Sequence, residues 1–498
     1  MYIICARHGQ ILPDFPPPFP TLMLSLIPQR RPGRTRPSSA SVVSRSTSSS
    51  DSSGLSDSPA AARRASDLID EDIKREAARQ QAQRKKEVKV MLLGQAESGK
   101  STLRKQFQLY HASHTLEAER PSWRIVVYAN LIKAVRAILE ELDYEFSSAS
   151  DEYYPLEEGG VDPGGPGAVP TDAAAQNEVI ELRRKLLPLI SLEGSLTSEV
   201  SAGVDFVGPG VRIDGGPGLK LPPWSKKTGS RLGSRPVEEL RQSSTAQVAT
   251  NRAAQVLGST AHVIEALWRH RCVEAVIRLR KLRLDESGVF FLGQVRRIAE
   301  TEYIPSTEDI LHVRLQTVGV IEHSMMVNTL GGIYTWKIYD VGGARSQRPA
   351  WCSYFDDVNA LIFLAPISAF DQFLEEDPLT NRIHDSLQLL VSICTNKLLK
   401  DAQLVLLLNK IDMLRKKLEA GVQIRQYITS YASRPNNFST AAEYFRSHFL
   451  AAHRKTDVFQ RRLYVHLTTM LDIQATQIII TSAGDLIMRK HIAQTGLA

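Results

Sequence analysis

Nine consecutive residues, Gly94-Gln95-Ala96-Glu97-Ser98-Gly99-Lys100-Ser101-Thr102, have the types and spacing to hold phosphate. They match the pattern G-x-x-x-x-G-K-[ST], set between an apolar run, Val88 to Leu93, and a segment that reads as helix. Glycines let backbone N–H groups close around phosphate oxygens. Lys100 supplies a point charge for the outer phosphates, and Ser101 a hydroxyl for Mg²⁺. The helix behind adds unpaired N–H groups and the positive end of its dipole. Such a loop narrows the ligand to a nucleoside triphosphate and leaves open how its base is read.

Two later stretches bear on that question. Asn409-Lys410-Ile411-Asp412 follows a strand ending at Leu408. An aspartate carboxylate accepts two N–H bonds from guanine, whereas adenine presents a mismatched edge, and a site with buried polar partners rejects the wrong base strongly. An ATP-using kinase or ATPase is disfavoured on this ground. Asp340-Val341-Gly342-Gly343 closes a strand, Ile333 to Tyr339. A carboxylate at that strand end suits the outer shell of Mg²⁺. Gly343, lacking a Cβ, can bring its N–H close to a γ-phosphate.

The elements that must position these groups are legible as a pattern. Strand candidates Ile333 to Tyr339, Val358 to Leu364, Gln403 to Leu408 and Arg462 to Leu467 alternate with helical stretches. This implies a doubly wound, mostly parallel sheet covered on both faces, with ligands at the carboxyl ends of the strands. Helices fill the span between the phosphate loop and residue 305. Arg124 to Leu142 carries Val127, Leu131, Val135, Ile138 and Leu142 at helical spacing. The expected fold is therefore an α/β P-loop NTPase domain, residues 88–112 and 306–498, with an inserted all-helical domain, 113–305.

Within that insert, residues 146 to 250 are punctuated by Gly and Pro. They read as a disordered insertion holding one helix, Asn177 to Leu187, stopped by Pro188. Residues 1–65 form a Pro/Ser/Arg-rich tail that cannot offset its own ordering entropy by burial. Residues 66–87 read as an exposed, charged helix with a short apolar stripe at Leu68, Ile69 and Ile73. The last helix, Asp472 to Gln494, is expected to bury Ala475, Ile478, Ile479, Ala483, Leu486 and Ile487.

The chain has 498 residues, a net charge of +7 and four scattered cysteines without metal-ligand or disulfide spacing. No apolar run reaches transmembrane length. The tail arginines (Arg30, Arg31, Arg34, Arg36, Arg45, Arg63, Arg64) suit an anionic membrane surface better than nucleic acid, since no nucleic-acid recognition motif accompanies them. Met1-Tyr2 lacks the glycine that N-myristoylation needs, and Cys5 is a candidate palmitoylation site.

Taken together, these motifs resemble those of heterotrimeric G protein alpha subunits, over about Ser66 to Ala498. The phosphate loop is similar to that family's G-x-G-E-S-G-K-S-T, with Ala96 at the second glycine. Tyr303-Ile304-Pro305 and Asp309 to Gly319 resemble its first switch, Leu284-Asp285-Glu286-Ser287 its helical-domain contact with nucleotide, and Asp377 with Asn381 to Ser386 its third switch. The resemblance implies that Arg314 supplies charge to the transition state and that Thr317 joins Ser101 on Mg²⁺, with Asp340 in the outer shell. Motifs and resemblance together place nucleotide contacts at Glu97, Ser98, Gly99, Lys100, Ser101, Thr102, Glu286, Ser287, Leu311, Arg314, Thr317, Asp340, Gly343, Asn409, Lys410, Asp412 and Met470. It further implies a βγ dimer, a seven-helix receptor at the C-terminal helix, an effector, and residence on the cytoplasmic face of the plasma membrane. The extended tail and insert are similar to those of fungal members.

The departures carry as much as the matches. Ala344 stands where the family has the glutamine that positions the attacking water. Pro349 interrupts the second switch, although Trp351 is retained. Thr468-Thr469-Met470-Leu471 replaces Thr-Cys-Ala-Thr, leaving the Met470 N–H to serve the base and its bulk to crowd it. The expectation is a signalling GTPase that binds GTP with Mg²⁺ and turns it over slowly. The alternatives are a hydrolysis-deficient interaction module and a degenerate member without nucleotide.

Overall fold

The computed structural model describes residues 59–151, 169–170, 172–200, 244–279, 281–282, 284–329 and 332–495. Most of the 1–65 tail with Cys5, the Gly/Pro-rich stretches 152–168 and 201–243, and the last three residues lie outside that set.

Six strands form one sheet in the order β2-β3-β1-β4-β5-β6: β1 Glu87–Gly94, β2 Val320–Thr329, β3 Gly332–Val341, β4 Ala360–Pro366, β5 Gln403–Asn409 and β6 Leu463–Thr468. Only the β2–β3 pair is antiparallel. β1 lies between β3 and β4, so the chain turns to opposite sides of it at the phosphate loop. Ligands of open α/β sheets sit at such reversals, beyond the carboxyl ends of the strands.

The central strands are continuous apolar runs because both faces are covered. Met91, Leu93, Leu361, Phe363, Leu404 and Leu406 face one layer, with helices Arg382–Thr395 and Phe438–Thr456. Val90, Leu92, Ile362, Leu364, Val405 and Leu407 face the other, with helices Lys100–His111 and Ile473–Thr495. Residues alternate between these layers at the strand period of two.

A third core belongs to helices alone. Val127, Leu131, Val135, Ile138 and Leu142 of helix Arg124–Asp151 are fully buried at its centre. Helices Ala173–Ile190 and Glu193–Val200 pack there through Val179, Leu186, Leu189, Leu196 and Val200, and Ser244–Trp268 through Ala253, Leu257 and Ile264. Residues 173–200 are thus part of the helical core rather than of an insertion. Pro188 sits inside the last turn of its helix, which continues to Ile190.

Three other expectations are corrected. β2 was not legible as a strand: it is an edge strand whose apolar residues, Val320, Ile321 and Met325 to Val327, are split by Glu322-His323-Ser324, so they form neither a continuous apolar run nor a regular alternation. The N-terminal helix begins at Pro59; it is exposed where its side chains are described, with Leu68, Ile69 and Ile73 each at least 60 % exposed. The C-terminal helix buries Thr476, Ile480, Ala483 and Ile487, leaving Ala475 and Ile478 exposed. Its packing on Phe107 and Trp336 fixes a face rotated by about one residue from the expected one. Among the described residues, no helix is long and apolar enough to cross a membrane.

Candidate functional site

The phosphate loop owes its path to two glycines and one asparagine. Gly94 has φ +143°, and a Cβ on it would lie 2.4 Å from the Leu364 carbonyl oxygen. Gly99 has φ +100°, and a Cβ there would lie 2.3 Å from Asn409 Nδ2. Asn409 Nδ2 donates to the Ser98 carbonyl at 2.8 Å, tying the base-reading segment to the phosphate loop. Ser98 is fully buried. Helix Lys100–His111 starts at the loop and directs its first N–H groups into it, with Ser101 and Thr102 in its first turn. Lys100 Nζ donates to the Gly94 and Gln95 carbonyls at 3.0 and 2.6 Å. Burial pushes its pKa down to about 8, opposed by the charge of Asp340.

Three oxygen-bearing side chains meet beside Lys100. Ser101 Oγ lies 3.0 Å from Thr317 Oγ1, which in turn donates to Asp340 Oδ2 at 3.4 Å. Asp340 is 2 % exposed, and its Oδ1 has no hydrogen-bond partner among the described residues. Two hydroxyls and an under-satisfied carboxylate are hard oxygen donors of the kind Mg²⁺ takes. Gly343 closes the wall: a Cβ on it would lie 2.2 Å from the Ala96 N, so only glycine allows this approach.

Charged side chains cross the top of the site. Glu97, held at φ +59°, pairs with Arg314 and, at 3.2 Å, with Arg382. Burial alone would raise its pKa; the charges of Arg314, Arg382 and Lys410 more than offset this and hold it low. Arg314 also donates to Asp285 Oδ2 at 2.9 Å, while Asn130 clasps its backbone through Oδ1 and Nδ2. Lys410 Nζ donates to Glu286 Oε1 at 2.7 Å. Both links join the helical unit to the sheet domain.

At the base-reading end, Asn409 Oδ1 accepts from Thr468 Oγ1 at 3.1 Å and from the Met470 N–H at 3.3 Å. Asp412 Oδ1 accepts from Thr469 Oγ1 at 3.2 Å. The Met470 N–H is therefore engaged by Asn409, and its buried side chain belongs to the core cluster that holds Leu364, Leu407 and Ile480, with Cγ 3.5 Å from the point a Cβ on Gly99 would occupy. Leu311 is 2 % exposed, and Ser287 Oγ donates to the His312 carbonyl.

The segment that resembles the second switch is a 3₁₀ helix, Arg345–Tyr354, with Pro349 inside it. Ala344, extended at φ −62° and ψ 148°, caps it and presents only a methyl group. The helix is fastened by Asp385, which accepts from Arg345 Nε at 3.1 Å, from Arg348 at 3.0 and 2.6 Å, and from Gln95 Nε2 at 2.5 Å. Burial would raise the Asp385 pKa; the bonds and charge from Arg348, with those from Gln95 and Arg345, hold it low. Sequence reasoning did not single out Asn130, a lone polar residue in a helical stretch, and although Asp385 lies in the Asn381 to Ser386 segment, its pairing with Arg348, 37 residues away, has no spacing that marks it.

A phosphate loop after the first strand and a guanine-reading segment after the fifth place the chain among P-loop guanine-nucleotide-binding proteins. Comparison with known proteins narrows the class. The G-protein alpha subunit family matches residues 63–487, and the chain belongs to it. It is 31 % identical over 487 residues to the guanine nucleotide-binding protein alpha-4 subunit of Mycosarcoma maydis, covering 82 % of this chain and 83 % of that one. It is 26 % identical to the alpha-1 subunit of Kluyveromyces lactis (87 % and 95 % covered) and 26 % identical to a guanine nucleotide-binding protein subunit alpha of Emericella nidulans (86 % and 95 %). Membership implies guanine nucleotide binding and signal transduction as the alpha subunit of a heterotrimeric G protein, in a family whose members are generally GTPases.

Proposed function

We propose that this alpha subunit is a slow timer, switched on by GTP and switched off by weak intrinsic hydrolysis. The observation that carries the reading is the contrast between an intact cradle and a bare Ala344. Lys100 and Gly343 border the phosphate loop beside the Ser101–Thr317–Asp340 cluster, while the residue after Gly343 offers no hydrogen-bonding side chain.

Mg²⁺ bound at Ser101 and Thr317, with Asp340 in the outer shell, would neutralise charge on the triphosphate. Lys100 and the loop N–H groups hold the outer phosphates, and Asp412 takes the guanine edge. Arg314 turns from its carboxylate partners toward the charge developing on the leaving oxygens. Hydrolysis forms a bond from a water oxygen to the γ-phosphorus and breaks the bond to the bridging oxygen, whose electron pair leaves with GDP. Both water protons end on phosphate or in solvent. Without a glutamine at 344, orientation of that water falls short, and the rate drops by about 10²-fold.

The family reading extends to a βγ dimer at the helix Arg345–Tyr354, a seven-helix receptor at helix Ile473–Thr495, an unidentified effector, and a peripheral place on the cytoplasmic face of the plasma membrane. The second reading, a hydrolysis-deficient interaction module governed by exchange or abundance, is favoured by the same Ala344. Single-turnover hydrolysis of GTP by the full chain and by Ala344→Gln tests the proposal. A rate about 10²-fold higher in the variant is expected; equal rates overturn it, and no hydrolysis by the unmodified chain selects the second reading.

A further inference from the structure

Three side chains of different chemistry meet in one helical layer of the sheet domain, away from the nucleotide cradle. Cys394 lies in the last turn of helix Arg382–Thr395, His453 in the last turn of helix Phe438–Thr456, and Asp457 caps that second helix. The two helices share one apolar core through Leu390, Ile393, Phe445 and Phe449. A sulfur, an imidazole nitrogen and a carboxylate oxygen of these three residues all lie within 4.8 Å of one another. Some point is therefore within about 2.8 Å of all three, against bond lengths to Zn²⁺ of about 2.0–2.3 Å. About 14 Å of helix separates Cys394 from Asp385, which meets Gln95 of the phosphate loop.

His453 Nε2 is the atom left without an occupation. Its side chain is only 9 % exposed, and Nε2 is buried with no hydrogen-bond partner among the described residues. Asp457 Oδ2 stands 3.6 Å away, beyond hydrogen-bond reach. A buried polar atom left in this state calls for a ligand. The other two residues are held in place. Asp457 Oδ1 accepts from Arg461 Nε and Nη2 at 2.8 and 2.6 Å, and Oδ2 accepts from the Arg461 N–H at 2.5 Å. A carboxylate has about four acceptor positions, so Oδ2, the oxygen facing His453, keeps one to give. Arg461 Nη2 also donates to the Cys394 carbonyl at 3.0 Å. One buried guanidinium thus fixes the carboxylate of one donor and the backbone of another, as outer partners of metal ligands do. The Cys394 thiol is fully buried and makes no disulfide.

We propose that Cys394 Sγ, His453 Nε2 and Asp457 Oδ2 bind a Zn²⁺ ion that cross-links the ends of these two helices. A thiolate, an imidazole and a carboxylate together suit this borderline-soft ion, whereas Mg²⁺ takes oxygen ligands. Closing the site moves each donor inward by no more than about 0.8 Å. Three protein donors leave the fourth tetrahedral position to a water molecule. On binding, the thiol S–H bond is replaced by an S–Zn bond, the proton passes to solvent, and no electron is transferred. The site is separate from the nucleotide and from its Mg²⁺, and it does not depend on how fast GTP is hydrolysed.

The test is metal binding by the full chain, cleared of zinc with a chelator and then kept in excess Mg²⁺ and GDP. Dialysis against Zn²⁺ followed by elemental analysis should find about one Zn²⁺ per chain. Co²⁺ in its place should give a sulfur-to-cobalt charge-transfer band and the strong visible absorption of a tetrahedral site. Cys394→Ser and His453→Gln should each weaken Zn²⁺ binding at least about 10-fold, the scale set by loss of even an outer partner. Cys394→Ser should also abolish the charge-transfer band, whereas Cys352→Ser should leave band and stoichiometry unchanged. Zn²⁺ should raise the thermal unfolding midpoint of the unmodified chain and of neither ligand variant. Circular dichroism checks that the variants fold, and the cobalt band of the unmodified chain needs no variant. Absence of both retained Zn²⁺ and the cobalt band in the unmodified chain overturns the proposal. So does Zn²⁺ retention that survives both Cys394→Ser and His453→Gln, which would put the ion elsewhere. Neither result touches nucleotide binding or hydrolysis.

Discussion

Asp285 and Arg314 form an ion pair, Oδ2 to Nη1 at 2.9 Å, that ties the helical unit to the segment leading into β2. Arg314 also holds Glu97 of the phosphate loop, so one guanidinium spans the mouth of the site from both sides. Lys410 and Glu286 make a second clasp at 2.7 Å.

These clasps predict how fast nucleotide leaves. Each pair is about one-third exposed, and such pairs contribute about 0.2–1 kcal/mol. Combining Asp285→Asn with Glu286→Gln should loosen the helical unit and speed release of pre-bound fluorescent GDP by about 2- to 30-fold. The effect should shrink in high salt, which already screens the pairs. An unchanged release rate at low salt would show that the clasps do not limit opening.

Base selectivity should rest on one carboxylate. Asp412 is fixed by Thr469, and Asn409 beside it is committed to the loop and to Thr468. Asp412→Asn replaces an acceptor-only group with one that also donates. Loss of charged hydrogen bonds worth about 1.5–3 kcal/mol should weaken GDP binding by about 10- to 150-fold in calorimetric titration. ADP, which gains nothing from Asp412, should bind both proteins equally poorly.

The sequence exposed most of this site because its parts are local. A phosphate loop, a strand-ending aspartate and an Asn-Lys-x-Asp segment each declare themselves within a few residues, and continuous apolar runs mark β1, β4 and β5. What stayed hidden depends on distant pairing. β2 is a strand through its antiparallel register with β3, and Met470 is a core residue through contact with a sheet face. Composition misled once: Gly/Pro-rich sequence on both sides made residues 173–200 read as part of a disordered insertion with a single helix, where two helices pack into the core.

Acid should destabilise the sheet edge through His323. Burial, with the Arg104 charge as the lesser cause, pushes its pKa down to about 3 from 6.5. The folded protein therefore keeps the ring neutral while the unfolded chain takes a proton below about pH 6.5. Stability from this group is intact above that pH and is lost progressively as pH falls toward 3. Replacing it by His323→Gln should flatten the profile. Between pH 7.5 and 5.5, urea unfolding with GDP present should show the natural chain losing about 1 kcal/mol more than the variant.

Two neighbouring leucines decide whether residues 173–200 support the helical unit or merely decorate it. Leu186 is fully buried in the core, whereas Leu187 is 53 % exposed. Sequence position, helix propensity and chemical change are the same for both, so their difference isolates packing. Leu186→Ala removes apolar contacts and leaves a cavity, which costs about 2–5 kcal/mol. Leu187→Ala should stay within about 0.5 kcal/mol. Urea unfolding followed by circular dichroism measures both. A flexible insertion hung outside the core would give two indistinguishable curves, because neither side chain would then have a packed environment to lose.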